Sequence, residues 1–301
     1  MGIEVRHILD TAVIGILHGK GGVRVGLRAD MDALPITEAT GCSFSSENPG
    51  IMHACGHDIH ITAALGAARL LSGEKLPGDV VFLFQPDEEG SGGAQRMIDA
   101  GALEGVGAVF GGHVSADIPL GKVGVKYGKF YAASDVLTVN VHGRSCHNST
   151  PEKGADALLS ASEMVCALST LTPSSGDRCV LSIGMLESGK AFNVVADRAR
   201  FRGILRALGN EDRLEMQKKI REAVERICVK YGVTAEVEFG DSYSGVVNTN
   251  PETSLMEKSA VEVLGRDNVL VLDREHMGTE DFGFFIEACS GSFCNIGAGC
   301  T

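Results

Sequence analysis

Residues 79–85 (DVVFLFQ) form a nearly continuous apolar run, which predicts a β-strand buried on both faces. Residues 23–29 and 108–112 (AVFGG) are apolar runs of the same kind. Helical patterns over residues 59–71 and 92–100 separate these three strands. Strands and helices that alternate in this way predict an α/β core, in which helices flank a mainly parallel sheet.

A second pattern begins near Lys129. The predicted order there is strand, helix, strand, strand, helix, strand, with the elements at residues 134–142, 155–168, 179–187, 193–205, 211–231 and 235–239. This order is typical of a ferredoxin-like α+β fold. We therefore predict a domain over residues 129–243 that is inserted into another domain. The outer domain is split between residues 1–128 and 244–301, and its second part contains helices over residues 251–264 and 279–288.

Composition restricts the partners and the compartment. A net charge of −12 argues against nucleic acids and anionic membranes as partners, because both bind protein surfaces with clustered positive charge. No apolar run approaches the ~20 residues that span a bilayer. The charged residues Glu4, Arg6 and Asp10 exclude a secretory signal peptide at the start. Nine cysteines without a Cys-x-x-Cys pair indicate free thiols in a reducing compartment, so we expect a cytoplasmic protein.

Metal-capable side chains follow three of the predicted strands. Asp30 and Asp32 follow the first strand, Glu88 and Glu89 follow the second, and His113 follows the third. In open α/β sheets, ligands bind beyond the carboxyl ends of the strands, so these residues are expected to meet at one edge. Taken singly, each has an ordinary structural interpretation as a helix cap, a solvated turn or a hydrogen-bonded core histidine.

The segment at residues 53–60 (HACGHDIH) concentrates three histidines and a cysteine just before a predicted helix, for which Asp58 is the expected N-cap. A structural zinc site usually takes four ligands with paired cysteines, and this segment offers only Cys55. A nucleophilic pair of Cys55 and His57 is a second possibility. That interpretation gives no role to Glu88, Glu89 and His113, whereas a catalytic metal site uses all of them.

Five motifs appear in order along nearly the whole chain: GLRADMDALPI (26–36), MHACGHDIH (52–60), QPDEEG (85–90), GGHV (111–114) and MGTEDF (277–282). Together they resemble the dinuclear metallo-aminoacylase/carboxypeptidase family, in its branch of hippurate hydrolases, N-acyl-amino-acid amidohydrolases and indoleacetyl-amino-acid hydrolases. The resemblance implies a split catalytic domain with an inserted lid or dimerisation domain, a homodimer, and an N-acyl amino acid as substrate. It also implies two divalent metal ions, with Zn²⁺ as the default and Mn²⁺, Co²⁺ or Ni²⁺ as alternatives.

The resemblance assigns roles to individual residues. Cys55 would bridge the two ions, His57 and His113 would bind one of them, and Glu89 would bind the other. Glu88 would be the general base that takes a proton from a metal-bound water. Asp32 and Asp58 would orient the ligands without binding the metal ions themselves.

In the predicted inserted domain, His147 matches the family's histidine that stabilises the oxyanion, contributed by the partner subunit. Asn193 and Arg206 match its contacts to the substrate carboxylate. Three positions depart from the family pattern: Ser145 and Cys146 replace common glycines, and Glu152 replaces a common histidine. The family also has a last histidine ligand beyond the segment that matches Gly297–Gly299, and the sequence ends at Thr301 before reaching it. His276 is the one histidine near MGTEDF that could stand in for it.

Two other functions remain open from the sequence. N-acetyl-diaminopimelate deacetylation uses the same constellation of residues with a different pocket for the amine. The alternative from another class is a catalytically degenerate or truncated family member that acts as a binding or assembly protein. The missing last ligand favours this degenerate protein, and the intact Glu88–Glu89 pair argues against it.

Overall fold

The computed structural model of the protein describes residues 2–173 and 178–299. The chain forms two compact units. The first contains Met1–Phe130, Val246–His276 and Glu280–Thr301, and the second contains Tyr131–Gly245 and Met277–Thr279. Within the described residues, no helix is both long enough and apolar enough to span a membrane.

The first unit is built on an eight-stranded sheet. Its elements are β1 (Glu4–Ile8), β2 (Ala12–Leu17), β3 (Arg24–Asp30), α1 (His57–Leu71), β4 (Val80–Gln85), α2 (Gly93–Asp99), β5 (Val106–Pro119), β6 (Val123–Val125), β7 (Gly128–Lys129), β12 (Val247–Asn248), α5 (Asn250–Leu264), β13 (Val269–Val271), α6 (Phe282–Ala288) and β14 (Ser290–Gly299). The strand order in the sheet is β1-β2-β4-β3-β5-β14-β6-β13, and β7 pairs separately with β12.

The centre of this sheet confirms the predicted α/β core. β4, β3, β5 and β14 are neighbours and run parallel. Phe82 and Leu83 of β4 are fully buried, as expected for a strand covered on both faces. The antiparallel strands β1 and β2 extend one edge, so the sheet is mixed but mainly parallel.

The sequence patterns missed or misplaced several elements of this unit. β14 was not predicted, although it lies beside β5 in the sheet, because half of its ten residues are glycine or serine and Ile296 is its one β-branched residue. β1 and β2 were also missed. The helix predicted over residues 279–288 was wrong at its start, since α6 begins only at Phe282.

The second unit has the predicted ferredoxin-like order. Its elements are β8 (Ala133–His142), α3 (Ala157–Leu168), β9 (Cys179–Ser188), β10 (Arg198–Ala207), α4 (Asn210–Tyr231) and β11 (Thr234–Tyr243). The four strands form an antiparallel sheet in the order β11-β8-β10-β9. α3 and α4 pack on the sheet through a core that includes Met164, Leu168, Met216 and Ile220, all buried. Hydrophobic burial of these helix faces holds the unit together.

Asp135 on β8 connects this sheet to α4. Its buried carboxylate accepts hydrogen bonds from Nε of Arg213 at 2.8 Å and from Nε2 of Gln217 at 2.7 Å, and it also accepts one from the hydroxyl of Ser242. Burial would raise the pKa of Asp135, but the hydrogen bonds from Arg213, Ser242 and Gln217 outweigh it and lower the pKa. The ionised carboxylate therefore stabilises the fold.

We expect Asp135→Asn to lower the free energy of unfolding by about 1.5–3 kcal/mol at pH 7, the range for hydrogen bonds to charged groups. Because the pKa is lowered by folding, this contribution is complete above the unfolded value of about 3.9 and is lost as the pH falls below it. Urea unfolding at pH 7 and at pH 3 measures the difference. Asp197→Asn, at an exposed pair with Lys190, is the matched control and should change little. An equal loss for Asp135→Asn at both pH values would contradict the charged role.

Candidate metal centre

Three neighbouring strands bring acidic and histidine side chains to one edge of the larger sheet. β4, β3 and β5 are adjacent and parallel, so their carboxyl ends point the same way. β3 ends at Asp30, and β4 ends at Gln85, three residues before Glu88. His113 lies within the longer strand β5.

Cys55 and His57 reach the same place through a turn that requires glycine. α1 begins at His57, and Gly56 before it is left-handed, with φ of 87°. A Cβ atom at Gly56 would lie 2.5 Å from Cγ2 of Val114, so only glycine permits this approach to β5. The Sγ atom of Cys55 then lies 3.3 Å from Nε2 of His113.

The hydrogen bonds of the two histidines determine which ring nitrogen can bind a metal. Nδ1 of His57 lies 3.0 Å from the backbone oxygen of Asp32, and Nδ1 of His113 lies 2.6 Å from that of Val114. A carbonyl oxygen only accepts, so in the neutral rings Nδ1 carries the proton and Nε2 keeps its lone pair. Metal-binding histidines are commonly held in this way by their second nitrogen.

The donor atoms fit divalent metal ions. Nε2 of His57 is buried and has no hydrogen-bond partner among the residues that the structure describes, which is costly unless a ligand satisfies it. Donor atoms of Cys55, His57 and His113 lie within 4.8 Å of one another, and so do those of His57, Glu88 and Glu89. Thiolate, imidazole and carboxylate together are ligands that Zn²⁺ accepts. His57 belongs to both groups, so the two sets of donors are contiguous.

The loop that carries Glu88 and Glu89 is held at several points. Asp87 adopts a left-handed backbone with φ of 61°, which is uncommon outside glycine. The backbone N–H of Glu89 donates to Oδ2 of Asp32 at 2.9 Å. A Cβ atom at Gly93 would lie 1.8 Å from the backbone oxygen of Pro86, so the loop also needs glycine at its end. As a result Glu88 is buried, whereas Glu89 is partly exposed.

Burial sets the protonation of two groups in the site. It raises the pKa of Glu88 to about 10, and the negative charge of Glu280 contributes further. Burial lowers the pKa of His113 to about 4. Without metal, Glu88 is therefore protonated at neutral pH, and His113 is the neutral imidazole that metals bind.

The same electrostatics argue against Cys55 as a nucleophile. Burial raises the pKa of its thiol well above the usual value, and Glu89 and Glu88 raise it further. Its hydrogen-bonding imidazole belongs to His113, whose low pKa disfavours an imidazolium. A thiolate–imidazolium pair therefore does not form in the metal-free chain. A metal ion, by contrast, removes the thiol proton directly.

Asp32 and Asp58 were both expected to orient the metal ligands, but their surroundings differ. Besides its backbone contact, Asp32 places Oδ1 3.2 Å from Nδ1 of His57. Asp58 is exposed in the first turn of α1. The prediction that Asp58 caps this helix was wrong, because the left-handed Gly56 starts the helix two residues earlier than the pattern indicated.

Among residues 2–173 and 178–299, His276 joins none of the groups of potential ligands.

Sequence reasoning gave too little weight to five buried polar residues under the site. They are Arg28, Asp30, His60, Glu280 and Asp281. One signal was available: an arginine stands inside the apolar strand 23–29, and a buried charge requires a partner. The partner carboxylates lie far along the chain, and no local pattern identifies them.

In the second unit, His147 and Asn193 lie on neighbouring backbone segments. His147 bridges with Val194, and the N–H of Asn148 donates to the backbone oxygen of Asn193 at 3.2 Å. The N–H of Ser149 donates to Nδ1 of His147, so the neutral ring carries its proton on Nε2. Arg206 lies on β10, and its Nη1 donates to the backbone oxygen of Met277 at 2.8 Å.

The fold and this donor set are those of a metal-dependent hydrolase. Residues 26–300 match the family model described as Peptidase family M20/M25/M40. Because the match covers most of the chain, the protein belongs to this family.

Relatives and solved structures agree with this assignment. The chain is 37% identical to thermostable carboxypeptidase 1 of Saccharolobus solfataricus over 99% of this chain and 77% of the relative. It is 36% identical to hippurate hydrolase of Campylobacter jejuni, over 95% and 76%. It is 34% identical to N-acetyl-L-cysteine deacetylase of Bacillus subtilis, over 98% and 72%. A dinuclear metal-binding M20 peptidase of Bacillus subtilis superposes with a TM-score of 0.86 at 32% identity, over 98% and 79%. The predicted resemblance and fold class are confirmed, and the chain is a metallo-amidohydrolase.

Proposed function

We propose that the protein hydrolyses the amide bond of N-acyl amino acids and releases a carboxylate and a free amino acid. The observation that carries this proposal is the buried carboxyl group of Glu88, next to the potential ligands His57 and Glu89. Two of the relatives, the hippurate hydrolase and the N-acetyl-L-cysteine deacetylase, are named for substrates of this class.

In this proposal Cys55, His57 and His113 would hold one divalent ion, and Cys55 and Glu89 would hold a second. The grouping of donor atoms around His57 and the contact between Cys55 and Glu89 support this division. When bound, two adjacent ions lower the pKa of water and polarise the amide carbonyl. Zn²⁺ is the default metal for these donors, with Mn²⁺, Co²⁺ and Ni²⁺ as alternatives.

Glu88 acts as the general base. Its carboxylate takes a proton from the water that attacks the carbonyl carbon and returns this proton to the leaving nitrogen, so that the amine departs neutral. Burial and the charge of Glu280 raise the proton affinity of Glu88, and the positive charge of Arg28 lowers it only in part. Bound divalent ions would lower it further, so that the group could gain and lose a proton near neutral pH. Asp32 holds His57 in the tautomer that exposes Nε2.

The acyl group has room beside Cys55. A cavity of about 720 Å³ opens there, with Met52, His53, Ile59 and Val114 among the residues of its wall. This volume lies in the range of small-molecule sites and exceeds the need of an acetyl group. The cavity therefore supports acceptance of aromatic as well as short acyl groups.

The two compact units correspond, in this proposal, to a catalytic domain and an inserted lid or dimerisation domain. His147 would donate Nε2–H to the oxyanion in the partner subunit of a cytoplasmic homodimer. Asn193 and Arg206 would bind the carboxylate of the substrate. The exposed ring of His147, with Nδ1 already accepting from Ser149, supports a donor role.

One experiment tests the proposed function directly. The purified chain is reconstituted with Zn²⁺ or Mn²⁺, its metal content per subunit is measured, and release of free amino acid is followed on acetyl, benzoyl and indoleacetyl amino acids. We expect metal to bind and at least one acyl class to be cleaved. A metal-loaded chain that cleaves none of these substrates would overturn the enzyme proposal, and the degenerate binding protein would then be favoured.

A further inference from the structure

Asp30 and His60 form a buried pair directly behind the candidate metal centre. Both side chains are almost wholly buried, and Nδ1 of His60 lies 2.5 Å from Oδ1 of Asp30. The backbone N–H of Val114 donates to Nε2 of His60 at 2.9 Å. An atom that accepts from N–H carries a lone pair, so the ring is neutral with its proton on Nδ1, which donates to Asp30.

His60 therefore has no nitrogen left for a metal ion, although Asp30, His57 and His60 lie close enough to suggest one. Its ring instead packs against both candidate histidine ligands. The centroids of the His60 and His113 rings are 4.6 Å apart in an edge contact, and those of His60 and His57 are 5.4 Å apart in a stack. The bond to Val114 also fixes the backbone next to His113.

Arg28 binds Asp30 and thereby holds the Asp30–His60 pair in place. Its Nη1 donates to Oδ2 of Asp30 at 2.7 Å, and its Nε donates to Oε1 of Gln85 at 2.8 Å. Its Nη2 lies 2.9 Å from a carboxylate oxygen of both Glu280 and Asp281. The guanidinium is buried, and charge-assisted hydrogen bonds of this kind are strong in a medium of low dielectric constant. Asp30 is thereby fixed with one oxygen on Arg28 and the other on His60.

We propose that the Asp30–His60 pair, anchored by Arg28, is a positioning device for the metal ligands and does not itself bind metal. His60 acts through the backbone N–H of Val114 and through ring contacts with His113 and His57. This inference rests on the proposed function, because it takes His57 and His113 as ligands. It assigns a task to Arg28 and Asp30 of the GLRADMD motif and to Asp281 of the MGTEDF motif, which the proposed reaction leaves unused.

Substitution of His60 tests the device through metal affinity. In His60→Leu both hydrogen bonds are lost, and the affinity of the metal-stripped chain for Co²⁺ should fall about 10–100-fold, the range for groups that orient ligands. His60→Gln can still donate to Asp30 and accept from Val114, so its affinity should stay near that of the parent chain. His142→Leu, at an exposed histidine on β8, is the control. Titration calorimetry and the Co²⁺ absorption spectrum report these changes without any assay of activity.

A second measurement needs no substitution. Nitrogen-15 NMR of the parent chain should show His60 as the Nδ1–H tautomer both before and after Zn²⁺ is added, while the Nε2 signals of His57 and His113 shift on metal binding. A metal-induced shift of a ligating His60 nitrogen, or a folded His60→Leu variant with unchanged Co²⁺ affinity, would overturn the positioning role alone. Failure of the parent chain to bind Co²⁺ would instead overturn the ligand assignments and with them both proposals.

Discussion

Replacing Glu88 by glutamine is expected to lower kcat by about 10²–10⁴-fold, the contribution of a single general acid–base group. Glutamine has almost the same shape, but its amide cannot accept and return a proton at neutral pH. Since Glu88 is proposed as the base and not as a ligand, the metal content per subunit should stay that of the parent chain. Steady-state kinetics on the best substrate, with metal analysis of the same samples, measures both quantities.

The neighbouring glutamate provides the matched comparison. Glu89→Gln removes a proposed ligand and should lower the metal content together with the activity. Glu74→Gln, at an exposed position after α1, should change neither. Full activity of a metal-loaded Glu88→Gln variant would show that another group moves the proton. Loss of metal in that variant would show that Glu88 is a ligand.

The second large effect is expected at Cys55. Serine at this position should weaken the binding of Zn²⁺ by more than about 100-fold, which is beyond the range for residues that only orient ligands. The thiol becomes a thiolate on metal binding, whereas a serine hydroxyl keeps its proton at neutral pH and is a poor ligand. In the Co²⁺-loaded parent chain, a thiolate-to-metal charge-transfer band should be present, and it should disappear in Cys55→Ser.

Cys166→Ser is the control for Cys55→Ser, because Cys166 is a free and exposed cysteine on α3. It should leave both metal affinity and the charge-transfer band unchanged. If Cys55→Ser binds Zn²⁺ as tightly as the parent chain, the thiol is not a ligand. The cluster at residues 53–60 would then contribute His57 alone.

Local sequence patterns gave the class of the fold because buried parallel strands have a distinctive composition. β4 is almost entirely apolar, and the alternation of strands with helices follows from it. The same reasoning failed for β14, where small residues fit a crowded position. A Cβ atom at Gly291 would lie 2.5 Å from the backbone oxygen of Val109, so glycine is needed there for packing against β5. Such a requirement comes from a distant partner, and propensity does not express it.

The candidate site was predictable as a set of residue types but not as an arrangement. Strand ends and the cluster at residues 53–60 identified Cys55, His57, Glu88 and His113 as chemically capable groups. Their burial, the tautomers of the histidines and the raised pKa of Glu88 depend on contacts between distant segments. The clearest case is Arg28, whose partner Asp281 is separated from it by most of the sequence.

The pairing of Arg28 with Asp281, and of β5 with β14, has a consequence for biosynthesis. A ribosome releases the segment with Cys55, His57 and His113 early, but the strand and the carboxylates that complete the surrounding structure emerge only with residues 280–299. The segment between them encodes a unit with its own hydrophobic core, and domains generally fold as units during synthesis. We therefore expect the inserted unit to fold first, and the nascent chain to acquire its metal only after residues 280–299 have emerged from the ribosome.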